Sequence, residues 1–199
     1  MSDYYTSDTH FGHANIIRFC NRPFESVEEM DEEMIRRWNA RVAADDHVWH
    51  LGDFGCRSGR SARNYLDRLH GHIHLIIGNH DTKNVLKQVS VRERFETVEY
   101  AIMRTDDAGR KLWLCHYPLA TAPKGVICLY GHIHNNTQWS YWDLLKTYDM
   151  HLNCCVEVNG YRPVTFEELV ANNERWRAEH FDDRTETGRM LKNQGVPIE

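Results

Sequence analysis

The stretch IHLIIGNHD, residues 73–81, decides how this sequence folds. Its first five residues are mostly apolar and predict a buried β-strand, and Gly78 and Asn79 then predict a sharp turn. The polar group Asn79-His80-Asp81 therefore follows directly after a buried strand. Because ligands in open α/β sheets bind beyond the carboxyl ends of the strands, the stretch predicts a functional edge as well as a strand.

The same order of strand and polar turn recurs along the chain, and helices separate the first three strands. We predict strands over residues 4–7, 48–51, 73–77, 96–103, 111–115, 126–130 and 153–158. We predict helices over residues 26–43, 58–70, 82–90 and 166–179, the last one capped by Thr165 and Glu168. Helices between strands predict a parallel sheet in the first half, and the later run of strands predicts a more mixed sheet.

The length and charge of the chain limit what it does. A chain of 199 residues suits one domain, which we place at residues 1–180, followed by a charged and partly mobile tail over 181–199. The net charge of -5 argues against a broad nucleic-acid or anionic-membrane surface, because both need a basic footprint. The polar start MSDYYTSD does not resemble a signal peptide, and no apolar run is long enough for a membrane helix.

The cysteines indicate the compartment in which the protein resides. The six cysteines form no C-x-x-C pair, and without a secretion signal we expect reduced thiols rather than disulfides. The sequence therefore predicts a cytoplasmic protein, and it leaves a homo-oligomer open.

Five polar clusters carry the chemistry, and each follows a predicted strand. They are Asp8-Thr9-His10, Gly52-Asp53, Gly78-Asn79-His80-Asp81, His116 and Gly131-His132-Ile133-His134. Residues two apart in an extended segment point to the same side, so Asp8 and His10 can hold one ion. Any one cluster also fits an ordinary turn or a structural histidine. Together, their carboxylates, imidazoles and amide suit Mn, Fe or Zn better than Mg or Ca, which prefer oxygen alone.

In this order, the motifs D-x-H, GD, GNHD, a single H and GHxH resemble the calcineurin-like metallophosphoesterase superfamily. They span residues 8–134, and the segment TSDTHFGHANIIRFCNRPF, residues 6–24, is similar to a small bacterial and phage branch of these hydrolases. The resemblance implies an α/β fold, a four-layer αββα sandwich of two mixed β-sheets flanked by helices.

The resemblance also implies a cofactor of two divalent transition-metal ions, with Mn favoured and Fe, Zn or Ni as alternatives. The first ion would be held by Asp8, His10, Asp53 and His134, and the second by Asp53, Asn79, His116 and His132. Two such ions can clamp an in-line phosphoryl displacement and supply hydroxide near neutral pH. His80 would then act as general acid or charge stabiliser, with Asp81 orienting its ring.

Substrate contacts are weaker predictions. His13 lies in the loop that overlooks the metals, and Arg22 and Arg57 could bind phosphate through their forked donors, although each arginine also fits an exposed surface role. A second GHIH string at residues 71–74 precedes a strand, so we read it as turn and strand residues. The aromatic residues of the segment 135–150 could stack on a base, but a satellite core or a dimer contact is favoured.

The leading prediction is a metal-dependent phosphoesterase that hydrolyses a small phosphodiester or phosphomonoester, with nucleotide-like compounds among the candidates. The alternatives are a nuclease acting on single-stranded ends and a non-catalytic metal-binding scaffold. The acidic charge disfavours extended nucleic acid as a partner. A scaffold that has abandoned catalysis tends to lose ligands, and here every ligand position is filled.

Overall fold

The computed structural model describes residues 1–55, 61–139 and 141–181, with the side chains of residues 83 and 84 left out. The strands are β1 (Asp3–Thr6), β2 (His47–His50), β3 (His72–Ile76), β4 (Thr97–Glu99), β5 (Ala101–Thr105), β6 (Lys111–Cys115), β7 (Val126–Tyr130) and β8 (His151–Asn153). The helices are α1 (Ala14–Phe19), α2 (Val27–Asn39), α3 (Ala62–Leu66), α4 (Asp81–Asn84), α5 (Val89–Arg92), α6 (Trp142–Leu145) and α7 (Phe166–His180).

Two four-stranded sheets form the centre of the fold, in the orders β1-β2-β3-β4 and β5-β6-β7-β8. All three pairings of the first sheet are parallel. In the second sheet, β5 is antiparallel to β6 and the other pairings are parallel. The predicted sandwich of two sheets flanked by helices is confirmed, with the difference that the first sheet is parallel rather than mixed.

Side chains alternate between the two faces of each strand, and this alternation builds the layers of the sandwich. On β2, Val48 faces a cluster formed with α2 and α3, whereas Trp49 faces the cluster between the sheets. Leu112 and Leu114 of β6 meet that inner cluster from the second sheet. A third cluster covers the far side of the second sheet and contains Tyr130, Ile133, Trp142, Leu145 and Trp176. The favoured reading of the 135–150 segment as a satellite core is therefore correct for Trp142.

Capping explains where the last helix begins. The Thr165 side chain accepts the backbone N–H of Glu168, and the Glu168 side chain accepts the backbone N–H of Thr165, so both halves of the predicted capping box are present. Helix α7 then contacts both β8 and β1. It thus covers the edge where the two sheets approach each other.

Three element predictions were wrong. The segment 82–90 holds two short helices instead of one, and 96–103 contains strands β4 and β5, which belong to different sheets. Only residue 153 of the predicted strand 153–158 lies in β8. The Asn159 side chain donates to the carbonyls of Asn153 and Cys155 and holds the following residues in a turn. Local side-chain hydrogen bonds of this kind compete with strand pairing.

Several whole-chain predictions stay predictions. Residues 182–199 lie outside the described residues, so the boundary between a domain at 1–180 and a tail at 181–199 is not tested, and neither are cytoplasmic location and oligomeric state. Among the described helices, none is long and apolar enough to cross a membrane. The five described cysteines are free thiols, as expected; Cys56 is not among the described residues.

The second GHIH string lies where the sequence placed it, at the start of β3. His74 is buried and stacks on the Trp49 indole with ring centroids 4.1 Å apart. Its two ring nitrogens lie 2.8 Å from His47 Nδ1 and 2.9 Å from Thr97 Oγ1. Burial is the main cause that lowers the pKa of His74 to about 4. The ring is therefore held neutral in the folded protein.

We predict that His74 destabilises the fold in acid. Its pKa is lower in the folded than in the unfolded chain, so the unfolded state takes up the proton first and stability falls between about pH 6.5 and 4. His74→Gln should flatten this acid limb by on the order of 2 kcal/mol, measured by urea unfolding across that pH range. His72→Gln, which changes an exposed ring on the same strand, is the control. An unchanged acid limb in His74→Gln would contradict this account.

Candidate metal centre

The ends of the strands meet at one edge of the sandwich. Beyond β1 and β2, the Asp8 N–H donates to Gly52 O at 2.9 Å and the His10 N–H donates to Asp53 O at 3.0 Å. On the second sheet, the Gly131 N–H donates to His116 O at 2.9 Å. Within each sheet, the polar loops are thus tied together by backbone hydrogen bonds, and their side chains face a common centre.

The side chains predicted as metal ligands form one connected group. His10 Nε2 lies 3.9 Å from Asp8 Oδ1 and 3.6 Å from Asp53 Oδ2, and His134 Nε2 lies 3.7 Å from Asp8 Oδ1. His116 Nε2 lies 3.6 Å from Asp53 Oδ2. Ligand atoms of Asp8, His10 and His134 lie within 4.8 Å of one another, and so do those of Asp8, Asp53 and His116.

Asn79 and His132 join the same group. Asn79 Oδ1 lies 3.0 Å from His116 Nε2, and the His132 ring centroid lies 5.1 Å from that of His116. The backbone N–H of His132 donates to Asp8 Oδ2 at 2.9 Å. The structure therefore brings all seven predicted ligand residues to one place.

The donor set fits bound cations. His116 Nδ1 lies 2.7 Å from Leu51 O, which can only accept, so Nδ1 carries the proton and the Nε2 lone pair faces Asn79 Oδ1. A cation held by both atoms would satisfy this arrangement. Asp8 Oδ1 is also buried without a hydrogen-bond partner among the described residues. Buried polar atoms are normally satisfied, so these orphaned acceptors indicate a metal site.

Burial sets the charge state of the centre. It lowers the pKa of His10, and it lowers the pKa of His132 to about 4, which leaves both imidazoles neutral and able to bind a metal. For Asp53, burial is the main cause and the nearby Asp8 carboxylate the second, and together they raise its pKa. Two carboxylates in so small a buried space repel each other, and bound cations would remove that penalty.

The loops that hold the ligands have unusual backbone conformations. Asp8, His10, Asp53, His132 and His134 all have positive φ angles, between 50° and 72°. This left-handed region is uncommon for residues other than glycine, although Asp and His tolerate it better than most. Such conformations cost on the order of 1 kcal/mol each and are concentrated at functional sites. Here they turn each side chain toward the centre immediately after a strand.

Two positions require glycine because neighbouring atoms lie where a Cβ would be. A Cβ on Gly52, where φ is +94°, would lie 2.6 Å from His116 Nδ1. A Cβ on Gly78 would overlap the carboxylate and the backbone nitrogen of Asp53. The glycines of the GD and GNHD motifs thus leave room for the ligands beside them.

We predict that Gly78→Ala disrupts the centre. The added methyl group collides with Asp53, so bound metal measured by elemental analysis should fall by at least tenfold, with loss of thermal stability. Gly55→Ala is the matched control, because a Cβ there would make only an ordinary contact, 3.5 Å from Phe11 O. If Gly78→Ala bound metal as well as the control does, the overlap would have no functional meaning.

His80 lies on the open side of the centre. Its backbone N–H donates to Asp53 Oδ1 at 2.9 Å, its Nε2 lies 3.9 Å from Asp53 Oδ2, and its ring is about half exposed. His13 packs against His10, with ring centroids 5.4 Å apart. A cavity of about 310 Å³ opens over the centre and is lined by both of these histidines. They are therefore available to a bound substrate.

Asp81 has different partners from those expected. Its Oδ2 accepts the backbone N–H groups of Asp53 and Gly78, both at 2.8 Å, and its Oδ1 accepts that of Phe54 at 3.0 Å. The predicted hydrogen bond that orients the His80 ring is thus replaced by three bonds to the backbone. Asp81 fixes the GD and GNHD loops against each other.

The prediction that Arg22 binds phosphate was wrong, because its guanidinium is buried and engaged. It donates to the carbonyls of Asp8 and Thr9 at 2.7 and 2.9 Å and to Glu157 Oε1 at 2.7 and 2.9 Å. The same Glu157 oxygen lies 2.9 Å from His134 Nδ1. Arg22 thus supports the loop that carries Asp8. Arg57, the other predicted phosphate contact, lies outside the described residues.

Glu157 contacts the centre, although no pattern in the sequence indicated it. Its side chain is buried, and through His134 Nδ1 it orients that ring so that Nε2 lies toward Asp8. Burial alone would lower the pKa of His134, but the carboxylates of Glu157 and Asp8 outweigh it and raise the pKa to about 11. A carboxylate behind a metal-binding histidine orients the ring and raises its basicity.

We predict that Glu157→Gln weakens metal binding. The amide keeps one oxygen for Arg22 and His134 but loses the charge, so metal affinity should fall by about 10–100-fold in a competition titration with a chelator. Glu33→Gln, which changes an exposed carboxylate paired with two surface arginines, is the control. Equal affinities in the two variants would show that Glu157 does not act on the metal.

Comparisons with known proteins agree with this geometry. The model of the calcineurin-like phosphoesterase superfamily domain matches residues 1–145. The uncharacterized protein MJ1445 of Methanocaldococcus jannaschii is 37% identical over 172 residues, which cover 84% of this chain and 88% of that protein. The gene 66 protein of Mycobacterium phage L5 is 36% identical over 165 residues, which cover 66% of this chain and 77% of the phage protein.

A solved structure shares the fold. The protein of unknown function AQ665 from Aquifex aeolicus superposes with a TM-score of 0.65 and 26% identity, over 83% of this chain and 96% of that one.

A sandwich with carboxylates and imidazoles at its strand ends defines a metal-dependent hydrolase. The chain belongs to the calcineurin-like phosphoesterase superfamily, and it is a metal-dependent phosphoric ester hydrolase. The resemblance seen in the sequence is confirmed, including the likeness to phage proteins. The family implies divalent metal ions, and the ligand groups described above are suited to hold them.

Proposed function

We propose that the protein is a dinuclear phosphoesterase that hydrolyses a small phosphodiester or phosphomonoester. The observation that carries the proposal is the convergence of oxygen and nitrogen ligand atoms from seven side chains around Asp8 and Asp53. Asp8, His10, Asp53 and His134 would hold one ion, and Asp53, Asn79, His116 and His132 would hold the other. The mixture of nitrogen and oxygen ligands favours Mn, with Fe, Zn or Ni as alternatives.

The buried carboxylate of Asp53 would help to hold both ions. Its Oδ2 lies 3.6 Å from a ring nitrogen of His10, a proposed ligand of one ion, and 3.6 Å from a ring nitrogen of His116, a proposed ligand of the other. When bound, two divalent ions would acidify a water and neutralise the oxygens of the phosphate. The protein supplies fixed ligand positions and excludes bulk water from beneath the centre, since Asp8 and His116 are buried.

We propose that His80 acts on the substrate rather than on the metals. Its ring borders the cavity above the centre, and we assign it the donation of a proton or hydrogen bond to the phosphate or the leaving oxygen. His13, on the same wall, is proposed as a second phosphate contact. A cavity of about 310 Å³ is at the small end of ligand sites, which favours a small phosphoester.

Metal analysis and turnover together test the function. The protein, loaded in turn with Mn, Fe, Zn, Ni and Mg, should contain two ions per chain and should hydrolyse bis(p-nitrophenyl) phosphate or p-nitrophenyl phosphate with one of the transition metals. One ion per chain in the active form would overturn the dinuclear assignment. Two ions without turnover of any phosphoester would favour the non-catalytic scaffold.

We predict that His80→Ala retains the metals and loses turnover. The backbone N–H that donates to Asp53 is unchanged by the substitution, so metal content should stay near that of the unmodified protein. Loss of a general acid or charge stabiliser should lower kcat by about 10²–10⁴-fold. His72→Ala, at the opposite end of β3, is the control. Full kcat in His80→Ala would remove this residue from the mechanism.

A further inference from the structure

A second cavity adjoins the metal centre on the side of the second sheet. Its volume is about 320 Å³, and its walls are mostly apolar. The loop after β6 contributes Tyr117, Leu119 and Ala120, and the segment around α6 contributes Tyr141 and Leu144. His132 and Trp139 line this cavity and also the one above the metals. The two cavities are therefore neighbours with a shared wall.

A chain of aromatic rings runs from the metal centre into this cavity. The centroid distances are 5.0 Å from His116 to Tyr117, 4.7 Å from Tyr117 to His132, 5.3 Å from His132 to Trp139 and 5.1 Å from Trp139 to Tyr141. A proposed metal ligand, His132, thus lies between two aromatic side chains of the cavity. A substrate group that extends from the phosphate in this direction would contact the faces and edges of these rings.

Exposed apolar side chains at the cavity indicate that it binds something. Tyr117 is 47% exposed and Leu144 is 44% exposed, although both are large enough to be buried in a core. Exposed apolar surface next to a polar centre is a mark of a ligand site. The lining of aromatic and aliphatic groups, with little polar surface, favours a flat apolar ring over a sugar or a charged group.

We propose that this cavity, which we call the aromatic pocket, binds a nucleobase of the substrate while its phosphate lies at the metal centre. The pocket is formed by Tyr117, Pro118, Leu119, Ala120, His132, Trp139, Tyr141, Leu144 and Leu145. The inference rests on the proposed function, because it takes the phosphate position from the metal centre. It narrows the substrate to a nucleotide ester and assigns the loops after β6 and β7 to its recognition.

A matched pair of ligands tests the pocket. Adenosine 5′-monophosphate and ribose 5-phosphate carry the same phosphate on the same sugar. They differ at the anomeric carbon, which bears adenine in the first and a hydroxyl in the second. Their inhibition constants are measured against hydrolysis of bis(p-nitrophenyl) phosphate by the metal-loaded protein. We expect adenosine 5′-monophosphate to inhibit at least tenfold more strongly, the size expected when one base stacks on an aromatic side chain.

Two variants separate the pocket from the metal centre. Ala120→Trp fills the pocket from an exposed position and should bring the two inhibition constants within about threefold of each other. Leu144→Ala removes an apolar contact and should weaken the nucleotide by a smaller factor. Neither variant should change the inhibition constant of ribose 5-phosphate. Met103→Ala, at an exposed apolar residue of β5, is the control and should leave both constants unchanged.

The outcomes distinguish a failure of the aromatic pocket from a failure of the proposed phosphoesterase function. Equal inhibition by the two ligands, with normal turnover, would overturn the aromatic pocket and leave the phosphoesterase intact. A base preference that survives in Ala120→Trp would place the base elsewhere and would also overturn the pocket. Absence of turnover with every metal would instead overturn the proposed function.

Discussion

The geometry of the centre depends on keeping two buried carboxylates, Asp8 and Asp53, in one small space. Their ligand oxygens lie within 4.8 Å of each other and of a His116 ring nitrogen. Two negative charges about 5 Å apart repel by about 3 kcal/mol at an effective dielectric constant of about 20. Surrounding imidazoles offset part of this cost, and bound cations would turn it into attraction. The left-handed loop conformations and the glycines are understandable as conditions for that arrangement.

The supports of the centre come from distant parts of the chain. Arg22 links the carbonyl of Asp8 to Glu157, which in turn orients His134. Such a buried ion pair gains little net stability, because desolvation of both charges offsets their attraction. Its role here is to hold the loops that carry Asp8, Glu157 and His134 in fixed positions relative to one another. Asp81 does the same for the loops after β2 and β3 through three backbone hydrogen bonds.

Sequence patterns predicted the parts of this molecule that depend on interactions between residues close together in the chain. Strands β6 and β7, the capping box of α7 and the clusters after the strands follow from periodicity and from turn residues. The order of motifs along the chain also distinguished the GHIH string of the metal centre from the second one at residues 71–74. Pairing over long distances could not be seen, because Arg22 and Glu157 are 135 residues apart. An isolated arginine reads as exposed, and only its buried partner reveals that it is structural.

Glu157 was missed for a related reason. An apolar run over 153–158 predicts a strand, in which a single acidic residue would face solvent. The amides of Asn153 and Asn159 instead hold this segment in a turn, through hydrogen bonds to backbone groups inside it. The turn carries Glu157 inward behind His134. Side-chain to backbone hydrogen bonds of this kind depend on the folded position of the turn and leave no periodic signal in the sequence.

The two sheets have different roles at the shared edge. The parallel sheet carries the proposed ligands Asp8, His10, Asp53 and Asn79 beyond the ends of β1, β2 and β3. The mixed sheet carries only imidazoles among the proposed ligands, beyond the ends of β6 and β7. Any cation held by Asp53 and His116 therefore joins the sheets across their interface. The proposed oxygen ligands all lie on the side of the parallel sheet, and the aromatic pocket adjoins the mixed sheet. Loops tolerate sequence change better than the strands they connect, so those after β6 and β7 can alter what is recognised while the carboxylates stay in place.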